Sequence, residues 1–353
     1  MMRKFNIVKP DEALRPVLQD KMDNLNKPKG SLGMLEEVAI KIGMMQQSLT
    51  PVLRRPCHLL FGADHGIERE GVSVSPREVT WQQMINFSKG GGCVNMFCRQ
   101  HGFELTVVDV GVDHDLSGCG GILNCKVGYG TKDFLYEAAM TGGEAERCLD
   151  TGVRLVTTCK ERGCNVVSIG EMGIGNTSAA SVWMHLLSGI EMERCVGAGS
   201  GLDEAGIRRK LGILRRAVER SGLEGAGCSC FVERVLCEFG GYELVAAVGA
   251  MLRAAELGMT VLVDGFIMTA CVLMAARINP SVLSYVVFCH EGDEAGHKVL
   301  LREVLHARGL LRLGLRLGEG TGALCAFPLV ESAVGLLSGG VNSFAGAHIT
   351  KYF

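Results

Sequence analysis

Short runs of β-branched and other apolar residues alternate with longer helical patterns over most of this chain. Five such runs predict strands, at residues 57–63, 104–110, 164–170, 259–263 and 283–289. Helical patterns lie between them, at residues 77–100, 143–162 and 203–220. Strands that are separated by helices pair in parallel, and near-continuous apolar strands are covered on both faces. The sequence therefore predicts an α/β protein with a mostly parallel, Rossmann-like sheet that carries helices on both faces.

The two ends of the chain differ from this middle part. The first fifty residues predict helices with a proline-glycine break at residues 27–30, and the last forty are apolar, glycine-rich and helical. We expect residues 1–50 and about 323–353 to meet as a small helical domain. Residues 51–322 are then the α/β domain that carries the active-site loops.

The composition argues against several classes of protein. A formal net charge of −2 over 353 residues gives no electrostatic footprint for nucleic acid or an anionic membrane. The uncharged run at residues 172–190 is long enough to span a bilayer, but its polar residues favour a helix of a soluble protein. We expect the fifteen cysteines to be reduced residues of a cytoplasmic protein, because no secretory signal begins the chain. Cys228 and Cys230 have no second pair at zinc-finger spacing, so no metal site is predicted.

Each predicted strand ends in polar residues and glycine. These strand ends are Asp64-His65-Gly66, Asp109-Val110-Gly111, Glu171-Met172-Gly173, Asp264-Gly265 and His290-Glu291-Gly292. Ligands of open α/β sheets bind outside the carboxyl ends of the strands, so these five segments predict a binding crevice. Asp64 and His65 are either an acid–imidazole pair or residues that organise their loop, and we favour the second interpretation. His290 and His297 do not have a recognised metal spacing, and we interpret both as polar loop residues.

Two glycine-rich loops are suited to a phosphate group. Residues 170–177 lead from a strand into a helix, and residues 197–201 precede a helix whose first turns carry Arg208, Arg209 and Lys210. Glycine permits close approach of the backbone, and a helix N-terminus offers free N–H groups and a positive dipole end. Neither loop is a Walker P-loop, because no Gly-Lys-Ser/Thr closes it.

A nicotinamide-dinucleotide oxidoreductase is an alternative of another class. It needs the pattern G-x-G-x-x-G and an acidic residue at the end of the next strand. Gly173 and Gly175 lack the third glycine, and Glu191 precedes its strand instead of ending it. The alternative stays open but is disfavoured.

A lone carboxylate, Glu319, lies between Gly318 and Gly320 and precedes an apolar helix at about residues 323–337. The flanking glycines leave the carboxylate unshielded and permit a positive φ. Desolvation favours the neutral acid and raises its pKa, which suits a general base near neutral pH. The alternative is a cap or first-turn residue of the following helix, stabilised by the helix dipole. The local sequence leaves both open.

Several segments recur in a fixed order along the chain. They are KPKGSLG at 27–33, ADHG at 63–66, EGVSVSP at 70–76, VT at 79–80, DVGV at 109–112, GEMGIGNT at 170–177, DGF at 264–266 and RLGEG at 316–320. In this order they resemble the nicotinate-nucleotide–dimethylbenzimidazole phosphoribosyltransferases of cobamide biosynthesis, over nearly the whole chain. The resemblance implies transfer of phosphoribose from nicotinate mononucleotide to an aromatic base such as 5,6-dimethylbenzimidazole. The products are an α-ribotide (α-ribazole 5′-phosphate) and nicotinate, with inversion at the anomeric carbon.

The resemblance also implies roles for individual residues. The family's proton acceptor, the Glu of Leu-Gly-Glu-Gly, falls on Glu319. The acceptor pocket maps onto Ser75, Gln83 and Leu317. The donor's ribose and phosphate map onto Glu171, Gly173, Gly175, Asn176, Gly199, Gly201 and Lys210. No metal and no cofactor are implied, since nicotinate leaves readily from a positively charged pyridinium.

Some relatives depart from this pattern. They use phenol or p-cresol as acceptor and form O-linked α-ribotides, and some work as a pair of unlike subunits. The resemblance therefore implies a dimer, either of identical chains or with a paralogue. The family often has His-x-Ser-Ala-Glu where this chain has residues 290–294, so a hydroxyl is lost at Gly292 and acids are added beside it. A non-enzymatic paralogue would lack the base, and the presence of Glu319 argues against one.

Overall fold

Six strands form one sheet in the order β3-β2-β1-β4-β5-β6, and every neighbouring pair is parallel. The computed structural model describes residues 3–226 and 230–351. The strands are β1 (Cys57–Ala63), β2 (Glu104–Gly111), β3 (Ile122–Asn124), β4 (Val166–Met172), β5 (Thr260–Val263) and β6 (Val286–Phe288). The predicted α/β fold with a parallel sheet is confirmed.

Helices connect the strands and flank both ends of the chain. In chain order they are α1 (Leu14–Asp23), α2 (Met34–Met45), α3 (Glu78–Ser88), α4 (Cys93–His101), α5 (Gly142–Glu161), α6 (Asn176–Ser188), α7 (Met192–Cys195), α8 (Glu204–Ser221), α9 (Phe231–Phe239), α10 (Tyr242–Glu256), α11 (Phe266–Ile278), α12 (Ala295–Val299) and α13 (Thr321–Leu337). Turns of 3-10 helix cover Gly66–Glu70 and Pro280–Tyr285, and a π-helical turn covers Leu300–Val304.

The prediction of one helix over residues 77–100 is wrong. The chain forms α3 and α4 there, and three glycines at 90–92 separate the two helices. Gly90 has a φ of +83°, which a residue with a Cβ rarely adopts. A Cβ at Gly92 would lie 2.4 Å from Cδ1 of Phe87. The break places Val94, in the first turn of α4, inside the protein, which matters for the site described below.

The strands differ from the sequence prediction by more than one residue in three places. The third predicted strand, at residues 164–170, begins and ends two residues later as β4, so Glu171 belongs to the strand itself. Only Val286–Phe288 of the fifth predicted strand is extended, since Pro280–Tyr285 forms a 3-10 turn that begins with proline. The edge strand β3 was not predicted, because three residues carry too little periodicity to be recognised.

Helices α5 and α10 pack closely against each other on one face of the sheet. A Cβ at Gly152 of α5 would lie 2.0 Å from the carbonyl oxygen of Ala246, and one at Gly249 would lie 2.3 Å from that of Leu149. Glycine at these two positions therefore permits the close contact. Helix α10 is apolar and buried along most of its length, and it carries one fully buried acid, Glu243, below the carboxyl ends of the strands.

The two ends of the chain contact each other. Helix α2 packs on α13, and Nζ of Lys21 donates a hydrogen bond of 2.7 Å to the carbonyl of Leu337. Residues 5–8 lie instead on the α/β part, where Asn279 donates to the carbonyl of Phe5 and Tyr285 donates to that of Val8. The division into a small helical domain and an α/β domain stays a prediction.

Three further expectations concern the whole chain. In the described ranges, no helix is long and apolar enough to cross a membrane, and residues 172–190 contain the end of β4 and helix α6. The described cysteines form no disulfide bond. Cys228, half of the Cys-x-Cys pair, lies outside the described residues. Within them, no group of three or more His, Cys, Asp and Glu side chains could hold a metal ion.

Candidate active site

A cavity of about 580 Å³ opens at the carboxyl ends of the central strands, as the strand-end motifs predict. Its walls come from the segments that follow β1, β4, β5 and β6, from α3, and from residues 314–321. Of the residues to which the resemblance assigns a role, those that line the cavity are Gln83, Glu171, Gly173, Gly175, Asn176, Gly199, Leu317 and Glu319. Segments far apart in the chain thus meet around one space.

Three of the residues to which the resemblance assigns a role do not line the cavity. Ser75 contacts a residue of the cavity wall instead of the cavity. Its N–H donates a hydrogen bond of 3.2 Å to Oγ of the lining residue Ser73. Gly201 is exposed beside the lining residue Ser200. Lys210 is fully buried behind the wall. The roles assigned to these three residues stay predictions.

Glu319 is held in an uncommon backbone conformation. Its φ is +60°, and those of Gly318 and Gly320 are +83° and +79°, so three left-handed residues follow one another. The positive φ anticipated for the two glycines is confirmed. A residue with a Cβ persists in this region only where its surroundings hold it there.

The Glu319 carboxylate caps a helix, but not the helix that follows it. Its Oε2 accepts a hydrogen bond of 3.2 Å from the backbone N–H of Val94, in the first turn of α4. Helix α13 begins after Gly320 and has no side-chain cap from Glu319. The alternative that Glu319 caps the helix that follows it, α13, is therefore wrong. The helix that it caps is α4, where Val94 lies 225 residues earlier in the chain.

The surroundings of Glu319 shift its pKa in the direction expected for a general base. Burial raises the pKa of this carboxyl, and the Val94 N–H opposes that rise, while the nearby Asp264 adds to it. The side chain is only 8 % exposed, yet it lines the cavity. A partly desolvated carboxylate at the wall of a cavity can accept a proton from a bound ligand.

Asp264 anchors the loop that carries Glu319. It follows β5, and its carboxylate accepts hydrogen bonds from the N–H groups of Gly320, Gly322 and Ala323 at 3.2, 2.7 and 3.3 Å. The first turn of α13 therefore finds its acceptor in a strand-end acid. His290 Nε2 lies 3.2 Å from Oδ1 of the same carboxylate.

His290 lies in the segment between β6 and α12, as expected of a loop residue, whereas His297 belongs to α12. Both are buried, and His290 lines the cavity. His297 Nδ1 accepts a hydrogen bond of 2.9 Å from the N–H of Gly292, so its proton is on Nε2, which faces Thr269 Oγ1 at 3.1 Å. Burial lowers the pKa of His297 to about 3, so this imidazole is neutral at pH 7.

Glu171 is a second acid of the cavity wall. Burial raises its pKa well above the usual value, and the neighbouring Glu243 adds to the rise. Asn176 donates a short hydrogen bond to this carboxyl from the first residue of α6. A Cβ at Gly318 would lie 2.5 Å from Oε1 of Glu171, so the loop of Glu319 passes directly over it.

Asp64 and His65 do not pair with each other. His65 Nε2 lies 2.6 Å from Oε1 of Glu243, and both side chains are fully buried. Asp64 accepts a hydrogen bond of 2.7 Å from the N–H of Asp113 and so organises its loop, as favoured. Glu243 was missed, because an acid within an apolar helical pattern resembles an exposed helix residue until its burial is known.

Lys210 lies behind the second glycine loop. Its Nζ donates a hydrogen bond of 2.8 Å to Oγ1 of Thr177, which lines the cavity beside Gly199. Burial lowers the pKa of Lys210 to about 8, and the Glu294 carboxylate opposes this. A cation therefore lies one hydrogen bond behind the cavity wall, at the lining residue Thr177.

Comparison with known proteins identifies the family. A family model described as phosphoribosyltransferase matches residues 7–349. The chain is 56% identical over 352 residues to the nicotinate-nucleotide–dimethylbenzimidazole phosphoribosyltransferase of Phocaeicola vulgatus, with 100% of both chains covered. The chain belongs to this enzyme family.

More distant members of the family match over nearly the whole chain. The enzyme of the same name from Dechloromonas aromatica is 48% identical, with 96% of each chain covered. The crystal structure of CobT from Thermus thermophilus superposes with a TM-score of 0.91 at 37% identity, and it covers 96% of this chain and 100% of that one. The resemblance seen in the sequence is thereby confirmed, and the oxidoreductase alternative is set aside.

The residues of segment 290–294, for which the resemblance implies a departure from the family's pattern, face in two directions. Glu291 points away from the cavity and forms an ion pair with Arg302 at 2.9 Å. Gly292 and Glu294 line the cavity. A Cβ at Gly292 would lie 3.0 Å from the carbonyl oxygen of Leu315, so a serine there would need its neighbours to give way slightly.

Proposed function

We propose that this phosphoribosyltransferase moves phosphoribose from nicotinate mononucleotide to 5,6-dimethylbenzimidazole. The products are α-ribazole 5′-phosphate, for assembly of the cobamide nucleotide loop, and nicotinate. Full-length similarity to enzymes named for this reaction supports the proposal. The observation that carries it is the buried Glu319 carboxylate at the wall of a cavity that also contains the glycine-rich loops.

In the proposed reaction, Glu319 is the general base. One ring nitrogen of the benzimidazole attacks the anomeric carbon of the donor, from the face opposite to nicotinate, so the configuration inverts to α. The bond from that carbon to the pyridinium nitrogen breaks, and its electron pair neutralises the departing ring. The other ring nitrogen of the acceptor loses its proton to Glu319. Burial and the raised pKa favour the protonated product of this step.

The donor occupies the strand-end loops in this proposal. Its ribose lies beside Glu171 and Asn176, and its phosphate lies on the loop of Gly199, where Lys210 contributes charge through Thr177. Glycine at 173, 175 and 199 lets a phosphate approach the backbone closely, and Lys210 adds a cation one hydrogen bond behind the cavity wall, at Thr177. The acceptor lies between Gln83 of α3 and Leu317, with Ser75 behind Ser73.

One assay tests this function. The purified protein is incubated with nicotinate mononucleotide and 5,6-dimethylbenzimidazole, and the products are separated by chromatography. We expect equimolar nicotinate and α-ribazole 5′-phosphate. Parallel incubations with phenol and p-cresol test the alternative acceptors, which would give O-linked α-ribotides. Absence of nicotinate with every acceptor would contradict the proposal.

We further propose that the chain acts as a dimer, with a second copy or with a paralogue. Large apolar side chains are exposed at Val74 and Leu313, next to the segments that line the cavity. Burial of such side chains against a partner is favourable, since it removes apolar surface from water. Light scattering of the purified chain separates the cases, since a homodimer has twice the mass of the chain and a chain that needs a paralogue remains a monomer.

A further inference from the structure

The carbonyl and the N–H of the peptide bond that follows Glu319 each form a hydrogen bond with a buried side chain, one from a strand and one from a strand end. The carbonyl oxygen of Glu319 lies 3.1 Å from Nε2 of His58, and the N–H of Gly320 lies 3.2 Å from Oδ2 of Asp264. His58 belongs to β1, and Asp264 follows β5. These strands lie on either side of β4, so the peptide plane is fixed from two directions.

These two hydrogen bonds, called the clamp below, hold the backbone next to a residue in an uncommon conformation. Glu319 has a φ of +60° although it carries a Cβ. Rotation of the 319–320 peptide would change ψ of Glu319 and φ of Gly320, and it would turn the carbonyl away from His58 and the N–H away from Asp264. The two hydrogen bonds therefore oppose a rotation that would shift the backbone of Glu319 and, with it, the carboxylate that accepts from the Val94 N–H.

The state of the His58 ring follows from its surroundings. The side chain is fully buried, and burial lowers its pKa to about 4, so the ring is neutral at pH 7. A carbonyl oxygen can only accept a hydrogen bond, so the proton is on Nε2. Nδ1 has no partner within the described residues. The hydrogen bond to Glu319 is therefore the one polar contact that this ring makes there.

The ring also fits closely between the sheet and the loop. A Cβ at Gly320 would lie 2.1 Å from Cε1 of His58, and a Cβ at Gly170 of β4 would lie 2.8 Å from its Nε2. Glycine on both sides lets the loop rest on the imidazole. A displacement of the ring would thus be transmitted to Glu319 directly.

We propose that His58 is a positioning residue for Glu319. Its Nε2–H fixes the 319–320 peptide, together with Asp264, and thereby keeps the Glu319 carboxylate on the N-terminus of α4 and at the cavity wall. The inference rests on the proposed function, in which Glu319 is the general base. His58 itself is buried and does not line the cavity, so it acts through Glu319 and not on a substrate.

The proposal is tested with two substitutions of His58, by glutamine and by asparagine, whose side-chain amides differ only in their distance from the backbone. The side-chain nitrogen of glutamine can take the place of Nε2 of histidine, whereas that of asparagine ends near the place of Nδ1. We expect His58→Gln to keep most of kcat and His58→Asn to lower kcat by roughly 10- to 100-fold, with the KM for nicotinate mononucleotide little changed. His58→Leu, which has no donor, should behave like His58→Asn and replaces it if the asparagine variant does not fold.

A double-mutant cycle separates positioning from a general effect on the fold. In a chain that already carries Glu319→Gln, His58→Asn should lower kcat by less than about threefold, because the group it positions has been removed. As a control, His185→Leu removes a histidine–carbonyl contact of 2.7 Å to Ile190, away from the cavity, and should leave kcat unchanged.

Equal losses from His58→Asn in both backgrounds would overturn the inference, and so would equal losses from His58→Gln and His58→Asn. If the wild-type protein releases no nicotinate, the proposed function fails instead, and crystal structures of the two variants decide the positioning. The Glu319 carboxylate should stay on the Val94 N–H in His58→Gln and leave it in His58→Asn. An unmoved carboxylate in both would rule out the clamp.

Discussion

The carboxylate of Glu319 accepts a hydrogen bond from the backbone N–H of Val94 at 3.2 Å, although 225 positions separate the two residues. The first N–H groups of a helix have no partner within that helix, so α4 provides a fixed donor and a positive dipole end. The helix N-terminus favours the charged carboxylate, whereas burial favours the neutral acid. Burial outweighs the helix N-terminus, so the pKa of this carboxyl stays raised.

Glu319→Gln should lower kcat by roughly 10²- to 10⁴-fold, because glutamine keeps the shape but cannot accept the proton. The loss should be larger with phenol than with dimethylbenzimidazole, since a phenol is a poor nucleophile until its proton leaves. Steady-state assays of nicotinate release measure both. Glu331→Gln, at an exposed position of α13, is the matched control and should have full activity. Near-normal turnover of Glu319→Gln with both acceptors would assign the carboxylate to helix capping alone.

The pH dependence of kcat/KM should report the raised pKa of Glu319 in the free protein. The base is active above its pKa and protonated below it, so kcat/KM should fall as the pH decreases. The midpoint of this fall should lie above about 4.3, the ordinary value for glutamate. Rates of nicotinate release between pH 4 and pH 8 give the profile. The same fall in Glu319→Gln would assign the titration to another group.

Glu171→Gln should make the protein more stable at pH 7. The pKa of Glu171 is raised in the folded state, mainly by burial, so the unfolded chain releases this proton at lower pH than the folded one. Stability is therefore lost as the pH rises from the unfolded pKa to the folded pKa. Glutamine avoids that loss, so the gain in Tm should grow from about pH 4 towards neutral pH. Thermal melts at several pH values measure it, with the exposed Glu146→Gln as control. A pH-independent difference in Tm would contradict the assignment.

Lys210→Ala should raise the KM for nicotinate mononucleotide by about tenfold or more. Charge-assisted hydrogen bonds contribute roughly 1.5–3 kcal/mol, and Lys210 supplies a cation next to the Gly199 loop through Thr177. The acceptor KM should change little. Initial rates at varied donor and acceptor concentrations give both constants, and Lys89→Ala, at the exposed end of α3, should alter neither. An unchanged donor KM would mean that backbone N–H groups alone hold the phosphate.

Alanine at two glycines of the same region should have opposite effects. Gly320 has a φ of +79° and no room for a Cβ beside His58, so Gly320→Ala should lower the free energy of unfolding by at least about 1–2 kcal/mol and reduce kcat. Gly335 lies within α13 with open space around it, so Gly335→Ala should raise that free energy by about 0.5–1 kcal/mol. Urea unfolding and activity assays test both. Equal stabilities of the two variants would contradict the argument.

The sequence by itself determined the fold class, the edge of the sheet where the site lies, and the loops that form it. Apolar, β-branched runs such as residues 57–63 and 104–110 predict strands, and the helical patterns between them predict parallel pairing. Such patterns can be recognised within a short stretch of sequence. Polar and glycine residues at strand ends are equally local signals. The same local signal picked out Glu319 between its glycines, although it left open what the carboxylate does.

Only the tertiary structure decided which groups hold that carboxylate. Val94, His58 and Asp264 are far from Glu319 in the chain, and none carries a local pattern that points to it. The pairing of His65 with Glu243, 178 positions away, was likewise invisible. Burial determines such contacts, because a polar group that is removed from water must find a partner in whichever segment packs against it. Which segment supplies that partner depends on how the whole chain packs, and not on the residues next to the polar group in the sequence.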